Sequence, residues 1–270
     1  MPASSTELAR LAGPKSKDLV SDTIKRWEEK IQERIRSEMA LKLVDDPGSR
    51  KEVQRVAVMI TDGLPLALIP YEQDLKEKLE EIAGLFRPHL QNLKDSFVEL
   101  QQLLKELGTR DPRWAERAEK EESGIVGVQR LVRDLMELAE QAKFAEKLKQ
   151  IDEDVLGAYF PLGKNPSHIY IMAPIPIIEI YWTVIGAVAR IIQVDIEGLT
   201  IAVMAHELAH AYSHLGADTD GKRWDDRAFC ASDGYIKEGI AQYYTAKVMK
   251  WFRQRHNDSP YHAYAELLKA

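Results

Sequence analysis

Residues 195–216 read DIEGLTIAVMAHELAHAYSHLG, and Leu199, Ile201, Val203, Met204, Leu208, Ala209 and Ala211 leave almost no face of a helix polar. A surface helix needs one apolar stripe, whereas one that is apolar nearly all round has to be enclosed by other elements. The rest of the chain must therefore wrap this segment. Asp195 predicts its N-cap and the Leu215–Gly216 pair its end. The same segment carries His206, Glu207 and His210, whose burial without partners would cost several kcal/mol in total.

At 270 residues and 45% hydrophobic content, the chain can bury one sizeable core or two modest ones without disulfides or metal. A metal, if bound, is there for chemistry. The single cysteine, Cys230, cannot form an internal bridge, and the first twenty residues lack the cationic and apolar regions of a signal peptide, which predicts a cytoplasmic protein. Lys plus Arg number 37 against 43 for Asp plus Glu, with no basic block, so nucleic acid is not an expected partner. The apolar stretch 169–189 approaches the length of a bilayer span. Pro174, Pro176 and the central Glu179 argue against membrane insertion.

The pattern along the chain predicts a mainly α (α+β) fold. Residues 1–20, small and polar, read as a flexible leader, and a helical domain follows over 21–152. Its first helix, from Ser21 or Asp22, places Ile24, Trp27, Ile31, Ile35 and Met39 at helical spacing. A second helix is expected over KEVQRVAVMITDG, residues 51–63. From about 72 to 150, apolar residues recur in steps of three and four on both sides of GTRDP, which predicts a long antiparallel, coiled-coil-like hairpin. That hairpin is scaffold or a surface for a protein partner. From 153 to 270 the text changes to a compact domain with a small sheet: SHIYIMAP (167–174) reads as a strand, EIYWTVIGAVARIIQ (179–193) by its length as a helix, and SDGYIKEGIAQYYTAKVMKWFRQRH as a further helix capped by Ser232 or Asp233.

Positions four apart on a helix lie about 6 Å apart on one face, so the imidazoles of His206 and His210 can hold one ion. Catalytic zinc takes three protein ligands and keeps a place for water, and a carboxylate beside the first histidine can act on that water as a base. Glu207 stands there. For a third ligand His214 is too distant, about 12 Å along the axis from His206. The acids Asp218, Asp220, Asp225 and Asp226 follow in a loop, and Glu238 sits in a packed helix and is the stronger candidate.

HELAH, followed by EGIAQYY with Glu238 28 residues after His210, resembles the gluzincin group of zinc metallopeptidases. The resemblance covers about 167–250 and implies a zincin-like catalytic domain, a Zn2+ cofactor held by His206, His210 and Glu238, Glu207 as general base, and a peptide or protein substrate. It also implies an edge strand before the zinc helix to align that substrate, a part that SHIYIMAP could take. The metzincin pattern fails, because its third-histidine position holds Gly216. A peptidase further needs a donor to the developing oxyanion. Tyr235, Tyr243, Tyr244, Tyr261 and His262 are candidates, and the sequence does not choose among them. The rival expectation is a non-hydrolytic helical interaction or scaffold protein with a structural or vestigial metal site.

Overall fold

The computed structural model describes residues 6–43, 52–53, 55–65, 68, 99, 102, 156–160, 176–216 and 224–269. The fold is mainly α (α+β), with seven helices among the described residues and a small mixed three-stranded sheet. In chain order the elements are α1 (Thr6–Ala12), α2 (Ser16–Glu38), β1 (Lys42–Leu43), β2 (Glu52–Val53), β3 (Ala57–Thr61), β4 (Gly157–Phe160) and β5 (Ile177–Tyr181). There follow α3 (Trp182–Ile191), α4 (Ile196–Leu215), α5 (Asp226–Ala231), α6 (Gly234–Arg255) and α7 (Ser259–Leu267). The chain forms two compact units, one of Met1–Leu68 with Leu148–Ala270 and one of Ile69–Lys147. Every element named here belongs to the first. The hairpin expected over 72–150 and the strand expected over 167–174 lie outside the described residues.

Helix α4 is the centre of the first unit, packed against α2, α3, α6, α7, β4 and β5. Its apolar residues are buried on every side, as an all-round apolar helix requires. Asp195 caps its start by accepting from the Gly198 N–H at 2.9 Å, and Gly216 ends it. The neighbouring Glu197 accepts from the Trp27 indole N–H at 3.0 Å, which ties the first turn of α4 to α2.

Along α2, Ile24, Trp27, Ile31 and Ile35 are buried as the spacing predicts, with Val20 added one turn earlier, while Met39, expected in the same stripe, is the C-cap residue and only half-buried. The helix starts five residues earlier than Ser21, at Ser16, because α1 leads straight into it: the Ser16 hydroxyl donates to the Ala12 carbonyl at 2.6 Å. That junction presses on α3, where a Cβ on Gly186 would lie 2.6 Å from Ala12 Cβ. Leu8 and Leu11 are buried. Residues 6–38 are thus part of the same core as the histidine helix, rather than a flexible leader and a separate helical domain; their apolar residues complete the enclosure that α4 demands.

A buried polar cluster joins α2 to the other side of α4. The Tyr212 hydroxyl, fully buried, donates to Gln32 Oε1 at 2.7 Å and accepts from Arg36 at 2.8 Å, while Gln32 Nε2 donates to the Val56 carbonyl at 2.9 Å. Such enclosed groups are tolerated because each has a partner. Lys247 on α6 donates to Glu38 at 2.8 Å, and this bond holds the Glu38 carboxyl below its ordinary pKa.

The second helix expected over 51–63 is absent: Glu52–Val53 pairs with Lys42–Leu43, and Ala57–Thr61 is a strand. β3 runs parallel to β5 in the register Ala57↔Ile177 to Thr61↔Tyr181, and β4 runs antiparallel to β5, giving the order β3-β5-β4. The first three residues of the expected 179–193 helix likewise belong to β5, and the helix starts at Trp182. In both places β-branched residues in short runs find a strand partner, and pairing overrides a helical reading based on length. β5, IIEIY, is buried at all five positions, as a central strand covered on both faces should be.

Leu8→Ala tests the placement of the N-terminal helix. Truncating a fully buried leucine should cost about 2–5 kcal/mol in denaturant unfolding, against almost nothing for a residue in a loose leader.

Candidate metal centre

Helices α4 and α6 bring three side chains to one point. His206 and His210 project from the same face of α4, one turn apart, with ring planes 88° apart and centroids separated by 4.7 Å. On α6, Asp233 caps the start by accepting from the Tyr235 N–H, and Ala241, Thr245, Val248, Met249 and Phe252 form its buried stripe. Glu238 lies at the edge of that stripe, so packing α6 on α4 carries its carboxylate to the imidazoles. His206 Nε2 and His210 Nε2 are 3.1 Å apart; Glu238 Oε2 is 3.1 Å from the first and Oε1 is 3.2 Å from the second. Ligand atoms about 2.1 Å from one tetrahedral ion stand roughly 3.4 Å from each other. The group His206, His210 and Glu238 therefore fits a single metal ion in size. Two nitrogens and a carboxylate suit a borderline divalent cation better than calcium or magnesium, which take oxygen ligands.

The imidazole side chains are enclosed, with 12% of His206 and 8% of His210 exposed, while 46% of Glu238 remains exposed. One flank of the group is thus open to solvent. Glu207, which follows the first histidine, is buried where α4 packs on β4. Gly157, the first residue of β4, makes room for it: a Cβ there would lie 2.8 Å from Glu207 Cγ and 3.2 Å from Cδ. Burial, with the nearby carboxylates of Glu179 and then Glu207, pushes the Tyr181 hydroxyl far above its ordinary pKa. It stays a proton donor and gives a 3.1 Å hydrogen bond to Glu179 on the same strand.

No protein-family model, curated protein or solved structure matches the chain.

The remaining candidates are distributed away from the group. His214 is buried; its ring stacks on Phe229 with centroids 4.3 Å apart, and Nδ1 lies 2.8 Å from the Tyr159 hydroxyl. It anchors β4 and α5 to the end of α4. Asp225 caps α5 through the Ala228 N–H, and Asp218 and Asp220 lie outside the described residues. Among the expected oxyanion donors, Tyr235 is 90% exposed at the start of α6, and His262 projects from α7 with 62% of its side chain exposed, near Glu266. Tyr244 packs edge-on against Tyr243, and burial raises its pKa while the nearby Lys247 lowers it. Arg253 covers the ring of Tyr261. None of these five lines the cavity beside His206 and Glu207.

Two residues that the sequence reading passed over do line the cavity beside His206 and Glu207: Gln242 and Tyr264. The Tyr264 hydroxyl donates to Gln242 Oε1 at 2.8 Å, and burial raises its pKa, so it remains a phenol. Gln242 had a signal, since it lies four residues after Glu238 and so on the same helix face.

Zinc titration of the metal-free protein should show one site per chain. Glu238→Ala should weaken it by more than the ~10–100-fold that loss of an outer-shell partner costs, because a ligand is removed outright. Unchanged affinity would exclude Glu238 from the ligand set.

Proposed function

We propose that this chain is a zinc-dependent peptidase of the gluzincin type, acting in the cytoplasm, with His206, His210 and Glu238 holding the zinc and Glu207 as general base. One observation carries the reading: two imidazole nitrogens and a carboxylate converge within 3.2 Å of one another, next to a buried glutamate and a cavity. The cytoplasmic assignment draws on Cys230, a free and exposed thiol. In keeping with it, among the described residues no helix is long and apolar enough to cross a membrane.

Zinc when bound supplies Lewis acidity, which polarises a carbonyl and lowers the pKa of water. Glu207 does the proton work. It takes a proton from the water that attacks the peptide carbonyl carbon and passes it to the nitrogen of the breaking bond, so that the leaving group departs as an amine. Its seat between α4 and β4 fixes the carboxylate on the cavity side of His206. Among the described strands β4 pairs only with β5, and an extended peptide added along β4 would run past Gly157 and Glu207.

Glu207→Gln should leave zinc bound at one per chain and lower the rate of peptide cleavage by about 10²–10⁴-fold, the usual contribution of a general acid–base. Cleavage at the wild-type rate would remove Glu207 from the mechanism. A zinc-loaded wild type that cleaves nothing would favour a non-hydrolytic role.

Gly157→Ala makes a separate demand. The added methyl must displace the Glu207 side chain while leaving the α4–α6 pair untouched, so zinc affinity should stay within about twofold and turnover fall by about 10²-fold, as for a ~1 Å misplacement of a catalytic group. Equal losses of zinc and activity would contradict it.

A further inference from the structure

A cavity of about 250 Å³ opens beside His206 and Glu207. It is smaller than the ~300–1,000 Å³ of pockets for drug-sized ligands, which makes it a place for one side chain rather than a free small molecule. Its walls come from three helices and the residue before β4, with Gln242 and Thr245 supplied by α6. Ala202 and Val203 belong to α4, one turn before the first histidine; Leu156 precedes β4; Leu267 and Leu268 end α7.

The two hydroxyls of the cavity away from the histidine group are already engaged. Thr245 donates its hydroxyl to the Ala241 carbonyl at 2.7 Å, and Tyr264 donates to Gln242 Oε1. Apart from His206 and Glu207, no lining residue carries a charge. An acidic occupant would lose its water and gain no countercharge, and a basic one would compete for the Glu207 carboxylate that the peptidase reading needs as base, whereas an apolar one would bury its surface against leucine, valine and alanine.

Helix α7 is tied at its first residue and again at Tyr264. Ser259 donates to Asp195 Oδ2 at 3.0 Å, the same carboxylate that caps α4, and Tyr264 is held to α6 through Gln242. Pro260 and Ala263 are buried between these points. The width of the cavity is therefore set by a helix tied to the histidine helix, and not by a free chain end.

We infer that this cavity receives one uncharged, apolar side chain of the substrate, from a residue flanking the cleaved bond, and that Ala202 and Leu267 set the size admitted. The inference rests on the peptidase reading above. It selects among peptides and assigns no further chemistry.

The test is a cleavage profile of the zinc-loaded full chain against a peptide library randomised around the cleaved bond, with zinc content measured in parallel. The wild type should favour Leu, Ile, Met or Phe over Gly at one flanking position by about tenfold or more, the scale at which an apolar pocket discriminates, and should cleave Asp and Lys there least. Ala202→Phe, which fills the cavity, should shift that position to Gly and Ala. Leu267→Ala, which widens it, should raise Phe and Trp relative to Leu, and serves if the first variant does not fold. Both should bind zinc as the wild type does. Cleavage with no apolar preference at either flanking position, or one profile shared by all three proteins, would sink this inference and leave the peptidase reading standing. Zinc binding without cleavage of any peptide would overturn both.

Discussion

Enclosure of α4 is the constraint from which the rest follows. A twenty-residue helix with apolar side chains on all faces cannot be stable at a surface. Six elements surround it, drawn from both ends of the chain. The imidazoles and Glu207 occupy the narrow sector where α6, β4 and the end of α7 approach without closing. The candidate centre is therefore an interruption in a shell. Its position follows from which neighbours leave a gap as much as from the histidines themselves.

Burial also explains why the polar groups in this shell come in sets. Gln32, Arg36 and Tyr212 satisfy one another on the α2 side, Tyr159 and His214 at the C-terminal end, and His206, His210 and Glu238 on the α6 side. Each set spans at least two elements, so a polar contact that would otherwise only cost desolvation also fixes how the elements meet. The third set differs from the first two in what its atoms offer. Tyrosine, glutamine and arginine combine donors with acceptors, whereas two imidazole nitrogens and two carboxylate oxygens at 3.1–3.2 Å crowd acceptors together unless protons or a cation stand between them.

Much of this was legible in the sequence, to the extent that it was local. The Asp195 and Asp233 caps, the ends of α4, the stripe of α2 and the i, i+4 histidines depend on residues within a few turns, and their patterns read directly. Glu238 was reachable because α6 reads as a long capped helix, although Ile236 and Tyr243 on it are exposed. What depended on distant partners was misread. VAVMIT and IIEIY are strands because they pair with each other across 120 positions (57 to 177), a partnership that no local window contains. The N-terminal helix looked like a leader because α1 is seven residues long, and its worth lies in what it covers. Gly157 gave no signal at all: a glycine before a short strand means little until a glutamate fifty residues on is found against it. Of the oxyanion candidates on α7, Tyr261 and His262 do not line the cavity, whereas Tyr264, which the sequence did not single out, does.

The two halves of the proposed chemistry are built over different distances in the chain. The group of His206, His210 and Glu238 comes from helices separated in sequence only by a short stretch that holds α5, so closing it orders a short segment. The seat of Glu207 needs β4, which needs β5, which pairs with β3, and β3 lies on the far side of the inserted unit Ile69–Lys147. Loop-closure cost grows slowly, by about 0.6 kcal/mol per doubling of length, so an insertion of this size is compatible with a stable sheet. Contacts that distant nevertheless form late in folding. Metal capture and base placement are accordingly separable properties of this fold: the first is a property of the α4–α6 pair, the second of the whole first unit.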